Sequence, residues 1–318
     1  MKKIFLTGGA GFVGVHIASA LLEKGYGVTI FDNFDPYSTN PKTIELLGGK
    51  AEIVHGDIRD PDALKNSLAG SFDAVIHCAA IAAVDRSIRD PGLTIYTNAI
   101  GTQNVLEAAK ENNIKRLHYV STDEVFGHIE SGSFDEMSST SPRNPYAAGK
   151  ASGESIALAW SATYDMKITI TNTANNYGPY QSLDKLIPRL TTLAIKGDKL
   201  PVYGTGKQQR EWVHVKDHAS AVVTVLEKGE SGNRYLVGTR EIHENIYIVE
   251  QICETLGVAF GEVVKYVKDR PGHDLRYSLD SSKIRDLGWE PKYAFGESLQ
   301  TVVLWYKDNQ EWCDFMKA

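Results

Sequence analysis

The first 32 residues constrain the fold more than any other stretch. Lys3-Ile4-Phe5-Leu6-Thr7 is a short apolar run of the kind that forms a buried strand. Gly8, Gly11 and Gly14 follow as G-x-x-G-x-x-G, and Phe12 to Lys24 reads as a helix. A second apolar run, Val28-Thr29-Ile30-Phe31, ends at Asp32. Glycines at such a turn serve the backbone. The exit from the strand is tight, and a pyrophosphate has to approach the amides at the positive end of the helix. Asp32 stands at the spacing of a carboxylate that accepts hydrogen bonds from an adenosine ribose. It would repel a 2′-phosphate, and no Arg follows it closely, so the pattern predicts NAD rather than NADP. A lone glycine motif is weak, because any glycine-rich turn imitates it. Here strand, glycines, helix, strand and acid come in order.

Residues 1–14 also place two lysines before an apolar stretch, as a secretory signal does. The glycines interrupt that stretch and no small-residue cleavage site follows, so this reading is rejected. The 318 residues hold one large domain or two modest ones. Hydrophobic content of 42% and charged content of 23% are ordinary for a soluble globular protein. A net charge of −6 argues against nucleic acid as a partner. No apolar run approaches bilayer length, so no membrane association is expected. Cys78, Cys253 and Cys313 are far apart and odd in number, which predicts a reducing cytoplasm rather than a disulfide framework. His214 and His218 are four apart, but the Glu of a zinc-hydrolase helix is missing, and no metal site is expected.

Six runs read as parallel strands: Lys3–Thr7, Val28–Phe31, Ala51–Val54, Asp73–Cys78, Arg116–Val120 and Lys167–Thr171. Helix-like stretches separate most of them, which predicts a Rossmann-like, doubly wound α/β sheet. Candidate motifs fall just after strands, where open parallel sheets bind ligands. After about residue 175, prolines and glycines punctuate the chain and the alternation loosens. The expected organisation is a dinucleotide-binding domain over 1–174 and a smaller mixed α/β substrate-binding domain over 175–318. Trp212 to Leu226 reads as a strand turning into an apolar helix, so the first domain is expected to be rejoined by about 212–238.

The chemistry concentrates in Ser121-Thr122-Asp123-Glu124-Val125-Phe126-Gly127, with Tyr146 and Lys150 one loop later. Tyr146 and Lys150 are four apart on a predicted helix and share a face. A neighbouring ammonium lowers a phenol pKa, which would make Tyr146 a base toward a sugar hydroxyl. Tyr-x-x-x-Lys alone is common, and an ordinary Tyr with a surface Lys is the bland alternative. Two carboxylates at a crevice can be pushed to different pKa values, one an acid and one a base. A surface loop is the usual setting of an Asp-Glu pair. Together the four groups fit a sugar oxidised and dehydrated at neighbouring carbons. Arg210, among the glycines of Gly204 to Trp212, suits a diphosphate or is a solvated loop charge. Arg270 and His273 offer a second set of the same kind.

These segments, with Val84-Asp85-Arg86-Ser87-Ile88, Asn98 to Asn104, Asn172 to Gln181, Lys185-Leu186-Ile187-Pro188 and Leu287-Gly288-Trp289, carry a resemblance over nearly the whole chain. The sequence resembles the extended short-chain dehydrogenase/reductase family, and within it the nucleoside-diphosphate-sugar 4,6-dehydratases. Thr122-Asp123-Glu124 is the most specific match, since related epimerases and decarboxylases usually carry small hydroxyl residues there. The resemblance implies that Tyr146, supported by Lys150, takes the C4 hydroxyl proton, and that Thr122 bonds the C4 oxygen. Glu124 would remove the C5 hydrogen and Asp123 would protonate the departing C6 hydroxyl. It implies NAD held by Gly8, Gly11, Phe12, Val13, Gly14, Asp32, Asn33, Asp57, Ile58, Ala79, Ala80, Asn98, Ser121, Tyr146 and Lys150. It implies a sugar nucleotide held by Asp85, Thr122, Asn175, Lys185, Leu186, Pro201, Tyr203, Arg210, Arg270 and His273.

The resemblance also implies a homodimer formed through helices near Asn98–Glu111 and Tyr146–Tyr164. Two departures stand out. Phe126 replaces a usual Tyr, and Ile81-Ala82-Ala83 replaces a usual Glu-Ser-His. They leave the base and the hexose open. A 4-epimerase or decarboxylase on the same scaffold, or a silent NAD-binding regulator, are the competing readings. Asp123-Glu124 argues against the first pair, and the intact Tyr146, Lys150 and acid pair argue against the last.

Overall fold

The computed structural model describes residues 2–39, 41–268 and 276–316. Strands β1 (Lys3–Thr7), β2 (Gly27–Asp32), β3 (Glu52–His55), β4 (Ala74–His77), β5 (Arg116–Thr122) and β6 (Lys167–Thr173) alternate with helices. Those helices include α1 (Phe12–Glu23), α2 (Pro61–Ser67), α3 (Val84–Arg89), α4 (Pro91–Ile95), α5 (Gly101–Glu111) and α6 (Pro145–Thr163). Beyond them lie β7 (Asn175–Tyr177), α7 (Leu186–Lys196), β8 (Leu200–Tyr203), β9 (Gln209–His214) and α8 (Val215–Lys228). Then come β10 (Asn233–Val237), β11 (Ile242–Glu244), α9 (Asn245–Leu256) and β12 (Val264–Val267).

Seven strands form one sheet in the order β10-β6-β5-β4-β1-β2-β3, every pair parallel. A parallel sheet must be covered on both faces, and alternation along β1 does this. Ile4 and Leu6 pack with Ile17 and Leu21 of α1 and with Val222 and Leu226 of α8. Phe5 packs on the opposite face with Leu64 of α2, Leu106 of α5 and Ala157 of α6. Strand order reverses between β1 and β4, which opens a crevice at their carboxyl ends.

All six expected strands are present, and the doubly wound expectation holds. β5 and β6 run two residues further than predicted, because their register continues through Ser121↔Asn172 and Thr122↔Thr173. The stretch predicted as one strand-into-helix unit at 212–226 divides. Its strand, β9, joins the small sheet β11-β9-β7, while its helix, α8, packs on the main sheet beside α1. The polar start Asn233-Arg234 conceals β10, which pairs with β6 and forms the sheet's edge. A second apolar cluster gathers Tyr177, Leu190 of α7, Trp212, Ile248 of α9 and Leu299. Among the described residues no helix is long and apolar enough to cross a membrane.

Candidate active site

The β1–α1 turn is fixed by steric need. Gly8 has φ +70°, and a Cβ there would lie 2.6 Å from the Ala79 backbone. A Cβ on Gly14 would lie 2.0 Å from the Gly8 carbonyl oxygen. Gly11 differs: among the described residues its Cβ would meet only that oxygen, at an ordinary 3.5 Å. No side chain caps α1, so its first-turn amides are left for a ligand. Gly11, Phe12, Val13 and Gly14 all border the crevice.

At the far side, Asp32 is buried and accepts from Ala10 N at 3.0 Å and Phe34 N at 2.8 Å. Each of its oxygens retains a further lone pair for a ribose hydroxyl. Burial raises the Asp57 carboxyl, but its hydrogen bonds to Arg59, then Asn33, outweigh this and hold it at about 2. Ile58, Ala79, Ala80 and Ser121 complete this wall. The uncapped helix, the cradle at Gly11 and the carboxylate at the end of β2 fit a dinucleotide.

β5 runs directly into one helical turn, Asp123–Phe126, which Thr122 caps by accepting from Glu124 N at 3.3 Å. The two carboxylates acquire different surroundings there. Asp123 is 2% exposed; its Oδ1 accepts from the Thr122 hydroxyl at 3.2 Å and its Oδ2 has no partner among the described residues. Burial, then the charge of Glu124, pushes Asp123 up to about 8. Glu124 is half-buried and accepts from the Asn144 amide at 2.8 Å. Asn144 also caps α6 through Ala147 N at 2.8 Å, with Pro145 at the first helical position. One asparagine therefore fixes both Glu124 and the start of the helix that carries Tyr146.

The expected effect of Lys150 on Tyr146 is corrected here. Burial, then Glu124, pushes the Tyr146 phenol well above its ordinary value, although it bonds Thr122. The Lys150 ammonium instead donates to the Val120 carbonyl at 2.5 Å and lies 4.1 Å from the Tyr119 ring centre. Burial lowers Lys150 itself to about 8.

Thr122, Asp123, Glu124, Tyr146, Lys150, Asn33, Asn175 and Lys185 all line the crevice. Asn98 does not. Its side chain brackets Ile81, donating to the carbonyl at 3.1 Å and accepting from the amide at 2.8 Å. Asp85 lies in the first turn of α3, one residue from the lining Arg86. Leu186 starts α7 and packs on the second apolar cluster, while Pro201 and Tyr203 lie on β8. None of these borders the crevice: α7 and, through Leu200 and Val202, β8 pack on that second cluster, which leaves Pro201 and Tyr203 on the other face of the strand. Arg210 is buried on β9 against the Tyr277 ring, 4.5 Å away, off the crevice wall, and its charge bears on Asp123. Arg270 and His273 lie outside the described residues.

Sequence reading missed the loop after β2, where Asp35 pairs with Arg86 and Tyr37 lies 4.9 Å from the same guanidinium. It carries no motif that would have marked it. It also missed Asn144, which the Asn-Pro helix-start signature could have found.

The family model described as GDP-mannose 4,6-dehydratase matches residues 5–302. The chain is 42% identical to the dTDP-glucose 4,6-dehydratase of Streptomyces niveus, over 99% of this chain and 96% of that protein. It superposes on DesIV, the dTDP-glucose 4,6-dehydratase of Streptomyces venezuelae solved with NAD bound, with a TM-score of 0.94. Identity there is 40% over 98% of each chain. The UDP-glucose 4-epimerase of Thermus thermophilus, solved with NAD, superposes with a TM-score of 0.90 at 29% identity over 96% of this chain and 99% of that one. Fold alone does not separate these activities, but the Asp123-Glu124 pair, the full-length relatives and the matched model agree. The chain belongs to the extended short-chain dehydrogenase/reductase family, among its nucleoside-diphosphate-sugar 4,6-dehydratases.

Proposed function

We propose that this NAD-dependent dehydratase converts a nucleoside-diphosphate hexose to the 4-keto-6-deoxy sugar nucleotide, with dTDP-glucose, the named substrate of its relatives, the first to test. When bound, NAD accepts the hydrogen of C4 with its electron pair, contributes positive charge, and returns the pair to C6. Tyr146 Oη must be ionised to take the proton of the C4 hydroxyl, against burial and Glu124; the positive charges of Lys150 and of a bound cofactor would favour that phenolate, and Thr122 Oγ1 bonds the same oxygen. The 4-ketone acidifies C5–H; Glu124 removes that proton, and Asp123 protonates the C6 hydroxyl so that it leaves as water. The observation that supports this most is the different setting of two adjacent carboxyls, Asp123 buried and Glu124 half-buried on the Asn144 amide. Asp123, raised to about 8, keeps its proton at neutral pH.

In deuterated water the product should gain solvent deuterium at C5, while C6 receives the hydrogen that left C4. Mass and NMR spectra read this directly. Solvent-derived hydrogen at C6 would overturn the reading.

Residues 1–174, rejoined by about 212–238, serve the cofactor in this proposal, and 175–318 serve mainly the sugar nucleotide. Asp32 supports NAD over NADP by about tenfold or more, one unfavourable charge contact. Comparable affinities in a titration would refute this. A reducing cytoplasm fits the three free cysteines. A homodimer is supported by Ile95, Tyr96 and Ile100, large apolar side chains 37–49% exposed where α4 leads into α5. Sedimentation at micromolar concentration should give a dimer, and a monomer there would count against it.

A further inference from the structure

Glu154 follows Lys150 by one turn of α6 and is fully buried, yet it does not border the crevice. Asn172 on β6 donates to its Oε1 at 2.5 Å, and the same amide nitrogen donates to the Thr122 carbonyl at 3.0 Å. Arg234 on β10 donates to Oε2 at 2.8 Å. The Arg234 guanidinium lies 5.7 Å from the ring of Phe126, the residue that closes the turn bearing Asp123 and Glu124. The carboxylate thus ties α6 to β6 and β10, and through Asn172 to the end of β5.

A buried ion pair is a poor source of stability, since desolvation offsets its attraction. Placement is the better account of this one. The groups around Lys150 are Tyr146 and Glu154 on α6, His77 and Cys78 at the end of β4, and Tyr119 on β5. Burial sends His77 down to about 3 and Cys78 up to about 11, so both are neutral at neutral pH. Burial also raises both phenols. Burial raises the Glu154 carboxyl, but the Arg234 guanidinium paired with it and the Asn172 amide oppose this, and it is the acidic group of this set that an opposite charge holds ionised.

We propose that Glu154 is a positioning residue for both halves of the reaction. Through Asn172 it fixes the carbonyl from which Asp123 and Glu124 depart, and its charge stabilises the Lys150 ammonium one turn away. This rests on the dehydratase reading above.

The test compares Glu154→Gln, Glu154→Asp and Asn172→Ala in the full chain. It reads kcat, KM, Tm and the alkaline limb of C4 oxidation in a single turnover, a step that does not use Asp123. Glu154→Gln should lower kcat about 10²-fold, as a small misplacement does, with KM nearly unchanged. Its alkaline limb should move about 1 unit to lower pH, because Lys150 loses a neighbouring opposite charge. Glu154→Asp should restore the limb but only part of kcat. Asn172→Ala should lower kcat and leave the limb in place. Variants with lowered Tm but wild-type kcat would overturn the proposal, and so would a folded Glu154→Gln chain whose limb stays at the wild-type pH; if Glu154→Gln does not fold, wild-type kcat in Glu154→Asp and Asn172→Ala overturns it. A wild-type chain that dehydrates no nucleoside-diphosphate hexose would instead overturn the dehydratase reading itself.

Discussion

Asp123→Asn is expected to leave C4 oxidation running and to slow dehydration by about 10²–10⁴-fold, the usual cost of one positioned acid. An amide has no proton to give the departing C6 hydroxyl. The reduced cofactor should therefore accumulate, and its absorbance should build up in stopped flow. Glu124→Gln should slow dehydration by a similar factor, because the C5 hydrogen loses its base. Tyr146→Phe should block oxidation, so no such absorbance should appear.

The pH dependence has a defined sign. Asp123 holds its proton up to about 8, so dehydration should fall as pH rises through that value. The same shift makes the native state bind more protons than the unfolded chain between the ordinary carboxylate range and about 8. Stability should therefore decline with rising pH across that window. Full activity in both carboxylate variants would sink the assignment.

Gly14→Ala is expected to damage the molecule at its first turn. The added Cβ would lie 2.0 Å from a main-chain oxygen that cannot rotate away. The strand–helix junction must open, at about 3 kcal/mol, the upper end for forced overpacking. If that cost also falls on binding, NAD affinity drops about 10²-fold. Gly11→Ala is the control. Its Cβ meets the protein at an ordinary 3.5 Å, so Tm should hold while NAD affinity falls. Thermal melts with and without NAD measure both effects. A Gly14→Ala protein that melts and binds like wild type would refute the steric argument.

What was legible in the sequence was what depends on local pattern. Apolar runs of strand length and glycines after β1 revealed the sheet and its crevice, because a parallel strand is buried on both faces and shows it in composition. The acid pair and Tyr146 with Lys150 were visible because they follow one strand and share one helix face. Long-range pairing was not legible. Nothing local says that Asn98 turns toward Ile81, that Lys150 donates to Val120, or that Asn233-Arg234 opens a strand. Leu186, Pro201 and Tyr203 are expectations of the resemblance. The packing of α7 and β8 on the second apolar cluster decided where they lie.

The sheet's edge strand has a consequence for how the chain is made. β10 pairs with β6, yet β7, β8, β9 and α8 are synthesised between them. As the chain emerges from the ribosome, the nucleotide-binding sheet stands one strand short until Val237 is out. Until then β6 offers an unpaired edge, and the Glu154 carboxylate waits without Arg234. An open edge on a hydrophobic parallel sheet is where nascent chains stick to one another. Release truncated within α8 should therefore give aggregation rather than a smaller working NAD-binding unit, and the last step of assembly should be the closing of that edge.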